Sequence, residues 1–508
     1  MKGAEKLTPL DASFLHLETR YTHMHIGGVA IFEPSPIGSG EALYEAIVRV
    51  IEPRLDMMPR YRQRVAFLPL SLDTPVWIDD PEFDIRSHVL RAALPRPGRD
   101  RELQQFISRV FSRQLDRRRP LWEMYVVEGL AEGRWALLFK THHAMVDGIG
   151  NLELVTTLLD TDPGSRDIPD AETGWQPRDT PTSTDLLLSS LRERLSRPRR
   201  LLRSARAVAS NPARLANALR DTASGLAAVA QTIRVPHSII NGPTGTSRKY
   251  VYTRFPLEDF RLVKQTFGGT INDVVLAAVA GGLRHYLIAH DVDPEDEKNA
   301  LQALCPVSIR DDSERMALGN RLALLLVKLP IDEANTEARL ARVRATVDRL
   351  KARKQAVGAD FLLNLAGFAP STLHAMVARA SLRQIGFNLV VTNVPGPQLP
   401  LYFRGARLVE AFPVAFLYEG QRVAIAIFSY MGWLNFGYLS DARGVPDVDL
   451  LAKGVEKGFK ELVRAAKRRQ GFNEQMDAAS TAPAKRKTAA RAKAPARSTA
   501  RSRAPASR

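Results

Sequence analysis

Two adjacent histidines, His142 and His143, stand in the stretch FKTHHAMVDGIG (139–150), with Asp147 and Gly148 close behind. An imidazole titrates near neutrality, which makes it a natural general base for a hydroxyl group. If the pair ends a β-strand, its rings point to opposite faces, one toward a cavity and one inward. The two residues then have different jobs. Asp147 either orients an imidazole or pins the loop through a buried arginine, and Gly148 permits a tight turn into the next helix. Two other readings stand beside the catalytic one: both histidines are structural, or they belong to a metal site. A metal needs a third or fourth ligand, and the chain has neither a His-x-x-x-His spacing nor a cysteine cluster. There is no Gly-x-Ser-x-Gly elbow, phosphate loop or dinucleotide fingerprint. The single cysteine, Cys305 in ALCPVSIR, reads as a small buried apolar residue rather than a nucleophile.

The elements that would carry these residues can be read from hydrophobic periodicity. HIGGVAIFE (25–33) reads as a strand entered through a glycine pair. GEALYEAIVRVIEPRL (40–55) and DRELQQFISRVFSRQLD (100–116) have helical spacing. RRRPLWEMYVVEGL and RWALLFKTHH are β-rich runs separated by a short turn, and NLELVTTLLD after the histidines has helical spacing. In the second half, YVYTRF, ALCPVSIR, LALLLVKLP, FNLVVTNVPGP and RVAIAIFSYMGWLNFGYLSD read as strands. GGTINDVVLAAVAGGLRHYL reads as a long apolar helix capped near Thr270 or Asn272. Two runs, RWALLFKTHHAMVDGIG and RVAIAIFSYMGWLNFGYLSD, both carry an apolar strand into a glycine turn. Only the first has histidines, as a degenerate duplication would leave it.

The chain has 508 residues and a formal net charge of +17. That charge is concentrated. Residues 478–508 contain nine Lys and Arg and no acid, and 185–234 contain ten Arg against three acids, so everything else sums to about neutral. A nucleic-acid-binding fold would need a basic face on the folded body, and this distribution argues against one as the main role. The N-terminus has no apolar core or cleavage site of a secretory signal. The most apolar run, VVLAAVAGGLRHYLIAH, is interrupted by Arg284 and His285, and the expectation is that it does not span a membrane. A lone cysteine fits a reducing cytoplasm, with peripheral contact to the inner membrane or lipid inclusions as the further expectation. The composition divides the chain into a first unit, 1–165, an Arg-rich helical linker, 166–249, a second unit, 250–472, and a basic tail, 473–508, too poor in large apolar residues to fold.

HHAMVDG resembles the HHxxxDG motif of the CoA-dependent acyltransferase-like superfamily, which includes chloramphenicol acetyltransferases, condensation domains and plant hydroxycinnamoyl transferases. LTPLDASFLHLE, MHIGGVAIFE, RPLW, NGPTG, GGTINDVVLAAVAGGLRHYL, PVSIR, LGN and TNVPGP occur in order between residue 7 and about 441. Together they resemble the bacterial wax ester synthase/diacylglycerol acyltransferase family. The resemblance stops before the tail.

The resemblance implies an α/β (α+β) fold of two chloramphenicol-acetyltransferase-like halves, joined by the helical linker, with a substrate tunnel between them. It implies acyl transfer from acyl-CoA, used as substrate with no cofactor and no metal, to diacylglycerol or a long-chain alcohol. His143 would be the base, with no covalent intermediate. His142 and Asp147 would hold the loop, with Arg310 either the partner of Asp147 or a surface residue. Asn272 and Asp273 match a second motif and either shape the site or cap a helix. Pro120, Leu121 and Trp122 match the family's PLW element, whose content is chiefly a packed turn. Asn320 and Asn393 stand beside turns as tunnel-wall donors. The Arg-rich segment is either a solvated helical face or a surface for anionic lipid, with some arginines near CoA phosphates. The tail meets anionic membrane, binds nucleic acid non-specifically, or solubilises the chain. A non-catalytic lipid- or partner-binding member of the same fold is the alternative function.

Overall fold

Two six-stranded sheets organise the chain. The first has the strand order β12 (Tyr402–Phe403), β13 (Ala406–Val414), β2 (His25–Phe32), β7 (Trp135–His142), β6 (Trp122–Glu128) and β5 (Val89–Ala93). The second has the order β10 (Leu322–Leu329), β9 (Leu301–Ser308), β11 (Leu389–Val394), β14 (Val423–Tyr430), β15 (Trp433–Asp441) and β8 (Arg248–Pro256). A small third sheet joins β1 (Ala4–Lys6), β4 (Val76–Asp79) and β3 (Gln63–Ala66). The structure is a computed structural model that describes residues 4–68, 74–145, 158–164, 175–179, 181–182, 184–185, 238–308, 322–352 and 386–481. The expectations for Asp147, Gly148, Arg310, Asn320, the tail beyond 481 and, apart from Asp185, the Arg-rich segment 185–234 lie outside these residues.

Each sheet is covered by helices whose apolar spacing was readable. Helix α2 (Glu41–Arg54) turns Leu43, Ile47 and Ile51 onto the face of the first sheet that carries Ala30, Phe32, Trp135 and Leu137. Helix α3 (Asp100–Phe111) presents Leu103, Ile107 and Phe111, spaced one turn apart, to the apolar layer on the opposite face. That layer holds Val29, Ile31 and Leu138 of the first sheet together with Leu304, Val390, Ala424 and Leu439 of the second, so the two sheets share it. Beneath the second sheet lies a core built on α4 (Leu257–Phe267), α5 (Ile271–Ile288), α6 (Thr336–Ala352) and α7 (Val448–Thr481). Helix α5 is long and apolar enough to cross a membrane by length and composition, but 72% of it is buried in this core. Residues 1–466 form one compact unit and 467–508 another, which begins inside α7. Helix α7 reaches Thr481, past residue 473, because Glu, Gln, Met and Ala continue as good helix formers there.

The sheets do not follow the two halves of the chain. Residues 402–414, placed by sequence in the second unit, leave it and complete the first sheet. There β13 pairs antiparallel with β2, with Ala411 opposite Ala30. On its way β13 crosses β15 so closely that a Cβ on Gly437 would stand 1.9 Å from the Pro413 carbonyl oxygen. A glycine inside a strand marks this kind of backbone approach. Gly437→Ala is expected to lower stability by about 1–3 kcal/mol. A denaturant titration of the purified variant measures it, and an unchanged midpoint would show that the crossing can give way.

Candidate active site

Strand β7 is held on both sides up to its last residue. His142 lies opposite His25 of β2, and Thr141 lies opposite both Ile26 of β2 and Trp122 of β6. The His142 N–H donates to the Leu121 carbonyl at 2.9 Å, and the His143 N–H to the Met24 carbonyl at 2.8 Å. The PLW element therefore fixes the backbone at His142, and the residue before β2 fixes it at His143. Trp122 itself is core: its indole N–H donates to the Tyr61 carbonyl at 2.7 Å and its ring stacks on His88. A single 3-10 turn, His143–Met145, follows the strand.

The two imidazoles diverge as the alternation of a strand requires. His142 is completely buried, whereas His143 is half-buried. The His143 ring lies between two phenyl rings, with Phe14 at 4.2 Å and Phe416 edge-on at 5.4 Å, centroid to centroid. Phe14 comes from α1 (Pro9–Leu17), and Phe416 from the connection that leaves β13 for the second sheet. Burial lowers the His143 pKa to about 4. Its own backbone carbonyl opposes this fall and His142 adds to it. The ring is therefore neutral at neutral pH.

His142 faces a buried charge cluster. The Ala144 N–H donates to His142 Nδ1 at 3.0 Å, so Nδ1 is the acceptor and the ring proton sits on Nε2. His142 Nε2 lies 3.5 Å from Glu18 Oε2, and His25 Nε2 lies 3.0 Å from Glu18 Oε1. Arg117 closes the cluster, donating from Nε at 2.9 Å and Nη2 at 2.6 Å to Glu18 Oε2, and from Nη2 to the Leu15 carbonyl. Burial alone would raise the Glu18 pKa, but hydrogen bonds from His142 and His25 outweigh it and hold the carboxylate well below its usual range. Burial drives His25 down to about 3 and lowers His142 as well, against the pull of Glu18. On the same face Lys140 is fully buried, donating to the Arg113 carbonyl at 2.7 Å opposite Glu123.

Glu18 and Phe14 were missed by the sequence reading. They stand four residues apart at the end of α1, hence on one face, and meet the two histidines that stand one residue apart on β7. The signal was present as the helical spacing in LTPLDASFLHLE. Elsewhere, Asp273 serves the cap. Its Oδ2 takes hydrogen bonds from the Thr270 N–H and hydroxyl at 2.8 Å each, and the Asp273 N–H donates to the Thr270 hydroxyl. Its Oδ1 is buried without a hydrogen-bond partner among the described residues. Asn272 precedes it at the start of α5, and Asn393 lies on β11 beside Ile427. Among the described residues, neither asparagine nor Asp273 makes a hydrogen bond, ion pair or ring contact with His143. Burial pushes the Cys305 thiol up to about 12, which leaves it protonated and unsuited to attack.

The architecture, two sheet-based halves with a histidine at the end of a central strand, defines the class of condensation domains and chloramphenicol-acetyltransferase-like acyltransferases. The first condensation domain of the calcium-dependent antibiotic synthetase has the same fold, with a TM-score of 0.56 at 15% identity over 91% of this chain and 96% of that one. The wax ester synthase/diacylglycerol acyltransferase from Marinobacter aquaeolei VT8 has a TM-score of 0.64 at 28% identity, covering 91% of this chain and all of that one (100%). Residues 7–275 match the wax ester synthase/diacylglycerol acyltransferase catalytic domain, and residues 318–463 match the WS/DGAT C-terminal domain. A Mycobacterium tuberculosis protein named as a probable diacylglycerol O-acyltransferase is 36% identical over 469 residues, 91% of this chain and 97% of that protein. The chain belongs to the wax ester synthase/diacylglycerol acyltransferase family, and it is an acyltransferase, as the motifs implied.

Proposed function

We propose that this protein transfers a long-chain acyl group from acyl-CoA to a lipid hydroxyl, that of diacylglycerol, a fatty alcohol or both. The observation that carries the reading is His143: a neutral, half-buried imidazole held at a strand end between two phenyl rings, one from each side of the site. In this reading His143 takes the proton of the acceptor hydroxyl as its oxygen attacks the thioester carbonyl. The C–O bond forms, the tetrahedral oxyanion collapses, the C–S bond breaks, and the CoA thiolate receives the proton from His143. A thioester is already activated, so no acyl-enzyme is needed; proximity and a base supply the chemistry. A base whose pKa has been lowered releases its proton readily, which favours the second transfer. The naming of relatives as diacylglycerol acyltransferases supports the acceptor class. The Arg-rich segment and the tail suit an anionic lipid surface in the cytoplasm, where such acceptors partition.

The test is thiol release from palmitoyl-CoA by the purified protein, with hexadecanol or diacylglycerol as acceptor. Release that depends on acceptor, accompanied by wax ester or triacylglycerol, is the expected result. No release with either acceptor would leave the non-catalytic lipid-binding alternative, and release independent of acceptor would mean thioester hydrolysis in place of acyl transfer.

A further inference from the structure

An apolar cavity of about 40 Å³ lies against the first sheet, lined only by apolar side-chain surface. Its floor is a row across three strands, Ala411 of β13, Ala30 of β2 and Leu137 of β7, which are register neighbours. Phe139 and Phe428 are part of its walls. Tyr430 closes it; its hydroxyl donates to the Leu408 carbonyl at 3.2 Å and accepts the Leu401 N–H at 2.9 Å, so only its ring is left to face the void. The volume exceeds the roughly 10–15 Å³ a water needs, but a water also needs polar partners, and an apolar cavity without them stays dry and accepts apolar matter.

Apolar packing links the walls of this cavity to the surroundings of His143. Met145, two residues past the base, packs both against the cluster that contains Phe14 and against the one that encloses the cavity. Along β7, Leu137 and Phe139 have the same strand parity as Thr141. Beside them on β2, Ile26 and Gly28 are half-exposed, and at Gly28 no side chain rises into the strip. From His143 to Leu137 is six residues, about 20 Å of strand, the length of a long-chain aliphatic group with its carbonyl or hydroxyl end at the histidine.

We propose that this cavity receives the methyl end of an aliphatic chain reacting at His143, and that Ala30 and Ala411 set the chain length the enzyme accepts. The inference rests on the acyl-transfer reading. Donor and acceptor both carry such chains, and the slot recognises what they share. Ala30→Val and Ala411→Val each raise the floor without adding polarity. Ala411 is half-exposed, so its variant tests the slot even where Ala30→Val fails to fold.

Two series separate the sources: acyl-CoAs from decanoyl to stearoyl with hexadecanol fixed, and alcohols from decanol to octadecanol with palmitoyl-CoA fixed. In one series the variants are expected to lose roughly tenfold or more in kcat/KM for the longest chains relative to the shortest, since one methylene's misfit has about that effect. The series that responds names the chain in the slot. Equilibrium binding of palmitoyl-CoA, decanoyl-CoA, hexadecanol and decanol is measured on the same proteins, so that absence of turnover, which would defeat the acyl-transfer reading, still leaves the slot decided. Folded variants whose length preference is unchanged in both series and in binding would overturn the proposal and make the cavity a packing void.

Discussion

Replacing His143 with alanine is expected to lower turnover by about 10²–10⁴-fold, the usual contribution of a positioned general base, while leaving the fold intact. The ring is half-buried and its Nδ1 has no hydrogen-bond partner on another described residue, so little of the surrounding structure depends on it. The pH dependence is sharper still. Burial lowers the His143 pKa to about 4, so the free enzyme keeps its base unprotonated well below the ordinary histidine range. The acid limb of kcat/KM should therefore fall near pH 4 instead of near about 6.5. Brief pH jumps with immediate assay measure this separately from unfolding. A limb near 6.5 with the protein still folded would mean that the titrating base is another group or that His143 is solvated in the working enzyme.

The largest expected effect on stability is that of Glu18→Ala. It leaves the partly exposed Arg117 without its carboxylate and strips two buried imidazoles of theirs, and losing the buried acceptor of charge-assisted hydrogen bonds costs about 1.5–3 kcal/mol. Because Glu18 is held below the usual carboxylate range, its stabilisation is present above the unfolded carboxylate pKa, about 4.3, and is lost as pH falls below it. His25, lowered to about 3, acts in the same direction. The unfolded chain binds that proton near about 6.5 and the folded one only near 3, so stability declines across that window. Denaturant titrations of both proteins at several pH values should show a large gap at pH 7 that narrows below about pH 4. A gap that widens in acid would mean that Glu18 is not the charged member of the cluster.

How much of this was legible beforehand depends on the range of the interaction. The histidine pair and the strand that carries it were readable because alternation and motif are local, and so was the cap at Thr270. For Asp273 the capping role is realised, which local sequence offered as one of two possibilities. The service of α1 to both histidines was not read, because a helix face says nothing about which strand it will meet. Nor did composition reveal that residues 402–414 cross to the first sheet. A strand alternates in the same way whichever neighbour it pairs with, and only the glycine at 437 hinted at a close crossing. Arg284 and His285 already spoke against a membrane span for α5, and its burial among α4, α6 and α7 agrees with that reading.

The borrowed strand β13 also sets an order of events during synthesis. The ribosome delivers β2, β6 and β7 early, yet the edge of β2 stays unpaired until Val414 has emerged. Until then the nascent chain exposes a strand edge of the kind that invites pairing with other chains. The loop that must close to cover it spans most of the polypeptide, and such distant pairings form slowly. Assembly of the sheet that holds His143 is therefore a late event, and a fragment ending before β13 carries the histidine pair on a sheet that has yet to be finished.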